Sequence, residues 1–269
     1  MKKIQLAAHR GFSECYPENT MIAFREALKL DIDMVETDVH MTRDGVLVLM
    51  HDHDLARTTD KQGLIREMDF AEVEKADAGI HKGEQFKGEK VPTLREFLEL
   101  VKDRKDIELN IELKDYPGEC GAFAYESCDK TIAMLDEYGV TDRCYINSFS
   151  GDILNYVYTK YENRIKLHGY FPVRILGEYF SENFFKRCAC VCLFNVSYDE
   201  NGKSDWSKNN IVCEQSKFDL VKSYGAQPWC YFKVDEEDKI KTALERGAVA
   251  FTSNNPVKAA EILKKLGAR

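Results

Sequence analysis

The chain has 269 residues, of which 44% are hydrophobic, 11% aromatic and 31% charged, a balance that excludes disordered and fibrous proteins. Its formal net charge of −8 at pH 7 argues against binding to nucleic acid or to anionic membranes. The longest apolar run, CACVCLF at 188–194, is far shorter than the roughly 18 residues of a membrane-spanning helix.

The start of the chain and the nine cysteines both bear on the compartment. Only IQLAA follows Lys2 and Lys3, whereas a secretion signal needs ~7 to 15 apolar residues. An odd number of cysteines without a small disulfide framework favours a reducing compartment, and Cys188, Cys190 and Cys192 are interpreted as buried thiols. We therefore expect a cytoplasmic protein without a signal peptide.

Short apolar runs alternate with helical patterns along the chain. Strands are predicted at 4–8, 33–38, 46–51, 107–113, 143–147, 165–170, 190–196, 227–232 and 248–252. Helices are predicted at 18–30, 93–103, 128–139, 217–225, 236–247 and 256–267. No repeat or linker divides the chain, so we expect one domain in which strands and helices alternate to build a parallel sheet.

The connection between the second and third strands differs from the others, because only MTRDGV separates them. Its Asp-Gly pair is a strong hairpin signal, so the third strand should be antiparallel and stand outside the parallel set. Eight parallel strands remain, which match a (β/α)8 TIM barrel with its active site at the carboxyl ends of the strands. An open doubly wound sheet is the alternative, but AHRGFSECYPENT at 8–20 lacks the glycine-rich phosphate fingerprint.

Three acidic residues are predicted to meet at that rim. Glu36 and Asp38 alternate on one face of the second strand, and Glu112 lies near the end of the strand at 107–113. Crowded carboxylates repel one another unless a cation lies between them, and oxygen ligands suit Mg²⁺ or Ca²⁺ rather than zinc. Arg10 and Lys114 are the positive groups that could hold a phosphate beside such an ion.

The hairpin register predicts a histidine beside these carboxylates. A two-residue Asp-Gly turn pairs Arg43 with Val46, and counting outward sets Asp38 directly opposite His51. A slip of one residue would turn His51 away.

The other histidines are interpreted more simply. His9 ends the first strand and so belongs to the same rim. His40 and His53 lie near it, but an isolated histidine is more often a hydrogen-bonded structural residue than a catalyst. His81 and His168 are interpreted as structural.

These segments resemble the glycerophosphodiester phosphodiesterase family. The resemblance rests on AHRGFSECYPENT (8–20), VETDVHMTRDGVLVLMHDHDLARTT (35–59), FKGEKVPTLREFLEL (86–100) and NIELK (110–114), in that order. It implies a (β/α)8 barrel with a small insertion, at about 52–92, over part of the mouth. It also implies roles for seven residues: metal ligation by Glu36, Asp38 and Glu112, acid and base catalysis by His9 and His51, and phosphate contacts from Arg10 and Lys114.

The resemblance extends to Glu18 and Asn19, which we expect to shape the first loop, with Asn19 as a helix cap. Beyond residue 115 it is reduced to fragments. Where the family commonly shows Trp-Thr-Val-Asn, this chain has FKVD at 232–235, unless Trp229 fills that place from a shifted register. Where the last strand commonly ends in Thr-Asp, the chain has Thr252 and Ser253, and the segment 171–216 fits no family pattern.

The activity that the resemblance implies is hydrolysis of a glycerophosphodiester to sn-glycerol 3-phosphate and an alcohol, with Mg²⁺ or Ca²⁺ as cofactor. The expected partner is this small-molecule substrate, not nucleic acid or a stable membrane anchor, and a homodimer is left open. One histidine must be neutral and the other charged, but the sequence does not say which, nor whether the nucleophile is water or the substrate's own hydroxyl.

Three alternatives remain open. A lysophospholipase D could use the same residues, with Phe70 and Phe86 of the insertion lining an acyl groove. A phosphatidylinositol-type phospholipase C also resembles a barrel with two histidines, but its bacterial form works without the carboxylate trio. A non-catalytic phosphodiester or metal sensor could have kept the fold.

Overall fold

Eight parallel strands close into a barrel in the computed structural model, which describes residues 3–171, 182–198, 204–207 and 211–269. Around the barrel the order is β1, β2, β4, β5, β6, β7, β10 and β11, and β11 pairs with β1. The strands are β1 (Gln5–Ala8), β2 (Met34–Met41), β3 (Leu47–Leu49), β4 (Glu108–Leu113), β5 (Cys144–Asn147), β6 (Lys166–Phe171), β7 (Cys190–Leu193), β8 (Ser197–Tyr198), β9 (Ser204–Asp205), β10 (Gln227–Tyr231) and β11 (Ala250–Ser253). The predicted (β/α)8 barrel is confirmed, and each predicted strand has a counterpart.

Helices connect the barrel strands. They are α1 (Met21–Ala27), α2 (Phe70–Val73), α3 (Leu94–Val101), α4 (Pro117–Cys120), α5 (Ala122–Glu137), α6 (Gly151–Lys160), α7 (Gln215–Ser223), α8 (Glu237–Arg246) and α9 (Pro256–Lys265). Every predicted helix is present, although α5 begins six residues earlier than predicted. Helix α6 was not predicted, but Ile153, Leu154 and Val157 bury one of its faces. None of the helices in the described ranges is long and apolar enough to cross a membrane.

The β2–β3 hairpin has a three-residue loop, so the predicted two-residue turn was wrong. The Thr42 amide donates to the Val46 carbonyl at 2.9 Å, which leaves 43–45 as the loop. Gly45 has φ of +86°, the left-handed conformation that closes three-residue hairpins and that glycine adopts most readily.

This loop shifts the register by one residue. Asp38 lies opposite Met50 instead of His51, and the Met50 amide donates to the Asp38 carbonyl at 3.2 Å. The predicted pairing of Asp38 with His51 was therefore wrong. His51 nevertheless stays near Asp38, because β3 ends at Leu49 and the chain bends at 51–53.

The apolar core has three parts. One lies inside the barrel around Trp229, and a larger one lies between the barrel and its helices, where the rings of Phe24 and Phe97 meet at 4.7 Å. A third, smaller cluster joins Val48 of β3 to the segment that follows and includes Leu55 and Ile65. Most members of this cluster lie within 52–92, the range of the predicted insertion.

Candidate metal centre and active site

Three carboxylates meet near the carboxyl ends of the neighbouring strands β2 and β4. Glu36 and Asp38 alternate along β2, and Asp38 lies in register with Glu112 on β4. One oxygen of each carboxylate lies within 4.8 Å of the other two, and all three residues are buried. The parallel register therefore gathers the three residues that the sequence predicts as metal ligands.

The cluster has the properties of a cation site. Glu36 Oε1 is buried and has no hydrogen-bond partner among the residues that the structure describes, a state that costs free energy unless a cation or donor compensates it. Burial, together with the nearby charge of Asp38, raises the pKa of Glu36 well above its usual range. An oxygen-only donor set with an unsatisfied carboxylate fits a hard divalent cation such as Mg²⁺ or Ca²⁺.

Two cationic side chains partly compensate the carboxylates. Lys114 Nζ lies 2.5 Å from Glu112 Oε1 and 3.2 Å from Asp38 Oδ1, and Arg10 Nε lies 3.2 Å from Asp38 Oδ2. Burial alone would raise the pKa of Asp38, but the charges of Lys114 and Arg10 outweigh it and hold the pKa well below its usual range. The structure thus pairs both predicted phosphate contacts with the carboxylates.

The His-Arg-Gly sequence makes a tight turn at the end of β1. Arg10 has φ of +55°, and its backbone amide donates to Glu36 Oε2 at 2.8 Å. Gly11 follows with φ of +77°, and a Cβ at this position would lie 2.7 Å from the backbone of Ala23 in α1. Only glycine fits there, so the turn fixes Arg10 over the carboxylates.

His9 is held as a neutral imidazole. Its Nδ1 lies 2.6 Å from the side-chain oxygen of Asn254, and its ring centroid lies 4.7 Å from that of Tyr231. Because an amide oxygen only accepts, Nδ1 carries the hydrogen, and the Nε2 lone pair is 3.9 Å from Glu36 Oε2. Burial, followed by the charge of Arg10, lowers the pKa of His9 to about 3.

His51 differs from His9 in that its hydrogen-bond partner is a carboxylate, not an amide. Nδ1 lies 2.5 Å from Asp52 Oδ1, and Arg57 Nε lies 2.5 Å from Asp52 Oδ2. The hydrogen bond from His51, reinforced by Arg57, outweighs partial burial and lowers the pKa of Asp52. Because a carboxylate only accepts, this hydrogen bond places a hydrogen on His51 Nδ1 and orients the ring.

A chain of ion pairs connects the two halves of the site. Arg57 donates to both oxygens of Glu18 at 2.7 and 3.0 Å while it contacts Asp52, and Glu18 Oε1 accepts from Arg10 Nη1 at 2.9 Å. Arg10 is thereby linked to His51 through three intervening side chains. Sequence reasoning assigned no role to Arg57 or Asp52, although both lie in the segment 35–59.

Asn19 orients Asp38 and does not cap a helix, so that prediction was wrong. The cap of α1 is Thr20, whose hydroxyl accepts from the Ala23 amide. Asn19 is buried with φ of +55°; its amide donates to Asp38 Oδ2 at 2.8 Å and its oxygen accepts from the Thr37 hydroxyl at 2.8 Å. It shapes the loop by fixing a carboxylate.

The remaining histidines have partners outside the carboxylate cluster. His40 Nδ1 lies 2.9 Å from Asp115 Oδ1, and the ring of His53 packs edge-on against that of His40 at 4.9 Å. His81 contacts a backbone carbonyl, and burial lowers the pKa of His168 inside the barrel to about 3.

Asp235 and Ser253, which stand where the family commonly has Asn and Asp, contact each other in the structure. The Ser253 hydroxyl donates to Asp235 Oδ2 at 2.5 Å. Phe232 belongs to the outer core and Trp229 to the barrel interior, and the aromatic ring that contacts His9 is that of Tyr231. Within the unassigned segment 171–216, residues 172–181, 199–203 and 208–210 lie outside the described residues.

The fold and the site define a (β/α)8-barrel protein with an acidic pocket, flanked by two histidines, at the carboxyl ends of its strands. Within that class, the chain belongs to the Glycerophosphoryl diester phosphodiesterase family, whose model matches residues 9–258. The resemblance noted in the sequence is thereby confirmed.

Curated relatives and solved structures agree with this family. A glycerophosphodiester phosphodiesterase of Caldanaerobacter subterraneus subsp. tengcongensis is 42% identical over 149 residues, 55% of this chain and 59% of the relative. One of Bacillus altitudinis is 38% identical over 149 residues, 54% of this chain and 58% of the relative. The chain thus aligns with less than two thirds of the length of these relatives.

The whole barrel superposes on solved structures. A phosphodiesterase of Oleispira antarctica, solved in complex with the product sn-glycerol-3-phosphate, has a TM-score of 0.79 and 25% identity over 97% of each chain. A glycerophosphodiester phosphodiesterase of Agrobacterium tumefaciens has a TM-score of 0.72 at 20% identity, over 94% of this chain and 97% of that one. The second likeness supports the fold alone.

Proposed function

We propose that this protein hydrolyses glycerophosphodiesters to sn-glycerol 3-phosphate and an alcohol in a reaction that depends on a divalent cation. The observation that carries the proposal is the buried cluster of Glu36, Asp38 and Glu112, with an unpartnered carboxylate oxygen, beside His9 and His51. Membership of the family and the product complex of the Oleispira antarctica phosphodiesterase support the same substrate class.

Glu36, Asp38 and Glu112 would hold Mg²⁺ or Ca²⁺. When bound, the ion supplies Lewis-acid polarisation of a phosphoryl oxygen and neutralises charge on it. Arg10 and Lys114 are proposed to contact the phosphate from the protein side. Arg10 offers a planar fork of donors and Lys114 a point charge, and both already lie against the carboxylates that would hold the ion.

The hydrogen bonds of the two histidines support different roles. His9 is neutral with a free Nε2 lone pair, so it is suited to accept the proton of the attacking O–H group, whether this belongs to water or to the glycerol part of the substrate. His51 beside Asp52 is suited to carry a proton and to give it to the alcohol oxygen as the phosphorus–oxygen bond breaks. An amide partner for one histidine and a carboxylate partner for the other fit an acid and base pair.

The lysophospholipase D alternative has less support. Phe86 is buried, and its ring meets that of Tyr16 at 5.7 Å. Phe70 packs against the third apolar cluster, the one that includes Leu55 and Ile65. Both rings that could have lined an acyl groove are thus used in internal packing.

A cytoplasmic location remains part of the proposal. All nine cysteines are free thiols, as a reducing compartment favours. The net charge of −8 supports a small-molecule substrate rather than nucleic acid.

The test is an assay of chelator-stripped protein with glycerophosphocholine, with and without Mg²⁺ or Ca²⁺, that measures sn-glycerol 3-phosphate. We expect activity only with added ion, and a loss of ~10² to 10⁴ in kcat for His9→Ala and for His51→Ala. His81→Ala, which removes a histidine outside the cluster, is the matched control. Full activity in EDTA would refute the proposal, binding without turnover would favour the sensor, and faster hydrolysis of lysophosphatidylcholine would favour the lysophospholipase D.

A further inference from the structure

Both oxygens of the Glu112 carboxylate face a side-chain donor, and one of these donors comes from a strand on the far side of β5. Oε1 faces the Lys114 ammonium at 2.5 Å, and Oε2 accepts from the hydroxyl of Tyr170 at 2.8 Å. Tyr170 lies on β6, and it is separated from Glu112 by 58 residues of sequence. The motif segments in the first 115 residues do not include it.

The hydroxyl proton of Tyr170 is committed to Glu112. The Tyr170 oxygen also lies 3.0 Å from the side-chain oxygen of Asn147, but a hydroxyl has only one proton to give. A carboxylate is a stronger acceptor than an amide, so the proton points to Glu112.

Packing holds the Tyr170 ring in one position. It stacks on Phe149 with centroids 4.3 Å apart and an interplanar angle of 18°, and Phe194 packs edge-on at 5.4 Å. The centroid of the His168 ring lies 5.1 Å from that of Tyr170. With neighbours on several sides and little exposed surface, the ring cannot turn without displacing them, so the hydroxyl is a fixed point.

We infer that Tyr170 is a positioning residue of the metal centre, which holds the Glu112 carboxylate in the orientation that receives the divalent cation. This inference rests on the metal-dependent function proposed above. It adds to the proposed metal centre a residue from beyond position 115, where the resemblance to the family is reduced to fragments. Partners that orient a ligand typically change metal affinity by ~10 to 100-fold when they are removed. The Tyr170 hydroxyl is expected to have an effect of that size.

The experiment compares Tyr170→Phe with Tyr145→Phe. Tyr145 is a matched control because both tyrosines lie inside the barrel at 6% exposure and each contacts a glutamate. The glutamate next to Tyr145 is Glu108, at the opposite end of β4. Chelator-stripped proteins are titrated calorimetrically with Mg²⁺, Ca²⁺ and Mn²⁺, and the melting temperature is recorded with and without each ion.

We expect Tyr170→Phe to weaken ion binding by ~10 to 100-fold, with a smaller ion-induced rise in melting temperature. Tyr145→Phe should bind the ion like the wild type, and both variants should melt within a few degrees of each other in chelator. Unchanged affinity in Tyr170→Phe, or an equal loss in Tyr145→Phe, would overturn the inference. A wild type that binds no ion would instead refute the proposed metal centre itself.

Discussion

Replacement of Lys114 by methionine tests whether its ammonium group compensates the buried carboxylates when no metal is bound. The side chain is 4% exposed and contacts Asp38 and Glu112 at 3.2 and 2.5 Å. Removing one partner of a buried ion pair leaves the other charge uncompensated and costs ~3 to 5 kcal/mol. Methionine keeps an unbranched side chain, so little packing is lost and the effect measures the charge.

The same substitution should make the cluster a better cation site. Without Lys114, Arg10 is the one lysine or arginine among the described residues that still contacts the carboxylate cluster. We therefore expect K114M to be less stable than the wild type in EDTA by ~3 to 5 kcal/mol, and to recover more stability than the wild type on addition of Mg²⁺. An ion at 100 times its dissociation constant stabilises by ~2.7 kcal/mol, so the recovery is measurable.

The assay is urea unfolding in EDTA and in excess Mg²⁺, with Lys166→Met as the matched control. Lys166 pairs with Glu108 at 3.0 Å, but its side chain is 39% exposed, so its loss should cost ~0 to 1 kcal/mol and respond to no ion. If K114M loses as little as the control in EDTA, or if Mg²⁺ stabilises it less than the wild type, the ammonium is not the internal counter-charge.

Two further substitutions test the surroundings of the site. Arg57→Lys should lower kcat/KM by ~10-fold, because a lysine cannot contact Glu18 and Asp52 together through a planar fork. Arg43→Lys on the surface is the control. A kcat/KM of Arg57→Lys equal to that of the control would contradict this prediction. Burial raises the pKa of Asp235 from 3.8 to about 6, so the folded state binds this proton more tightly and its stability falls as pH rises between those values. Asp235→Asn should abolish that fall and raise the unfolding free energy at pH 8 by up to ~3 kcal/mol; parallel urea-unfolding profiles of variant and wild type from pH 4 to 8 would contradict it.

The barrel could be predicted because its signals are local. Each strand is a short apolar run bounded by turn residues, and the helices between them bury one face. The hairpin register could not be predicted, because an Asp-Gly pair suits both a two-residue turn and the last two positions of a three-residue loop. Gly45 alone takes the left-handed conformation here, and this single difference moved His51 away from its predicted partner.

The carboxylate cluster could also be predicted, because alternation along β2 and parallel pairing with β4 suffice to bring Glu36, Asp38 and Glu112 together. The residues that orient these catalytic and metal-binding groups could not be predicted. Asn254 is 245 positions from His9, and Tyr170 is 58 positions from Glu112. Contacts at such separations depend on barrel closure, and no local pattern indicates them.

This division has a chemical reason. The first 115 residues supply groups whose charge or proton transfer is the chemistry itself, and few residue types can replace a carboxylate or an imidazole in those roles. The later part of the chain supplies neutral groups, among them Tyr170, Ser253 and Asn254, whose task is to accept or donate one hydrogen bond. Many residue types can do that. Where the family commonly has Asn and Asp, for example, this chain has Asp235 and Ser253, and the two still form a hydrogen bond. A site built in this way keeps a recognisable sequence where its charges lie, and its orienting contacts become visible only in the folded barrel.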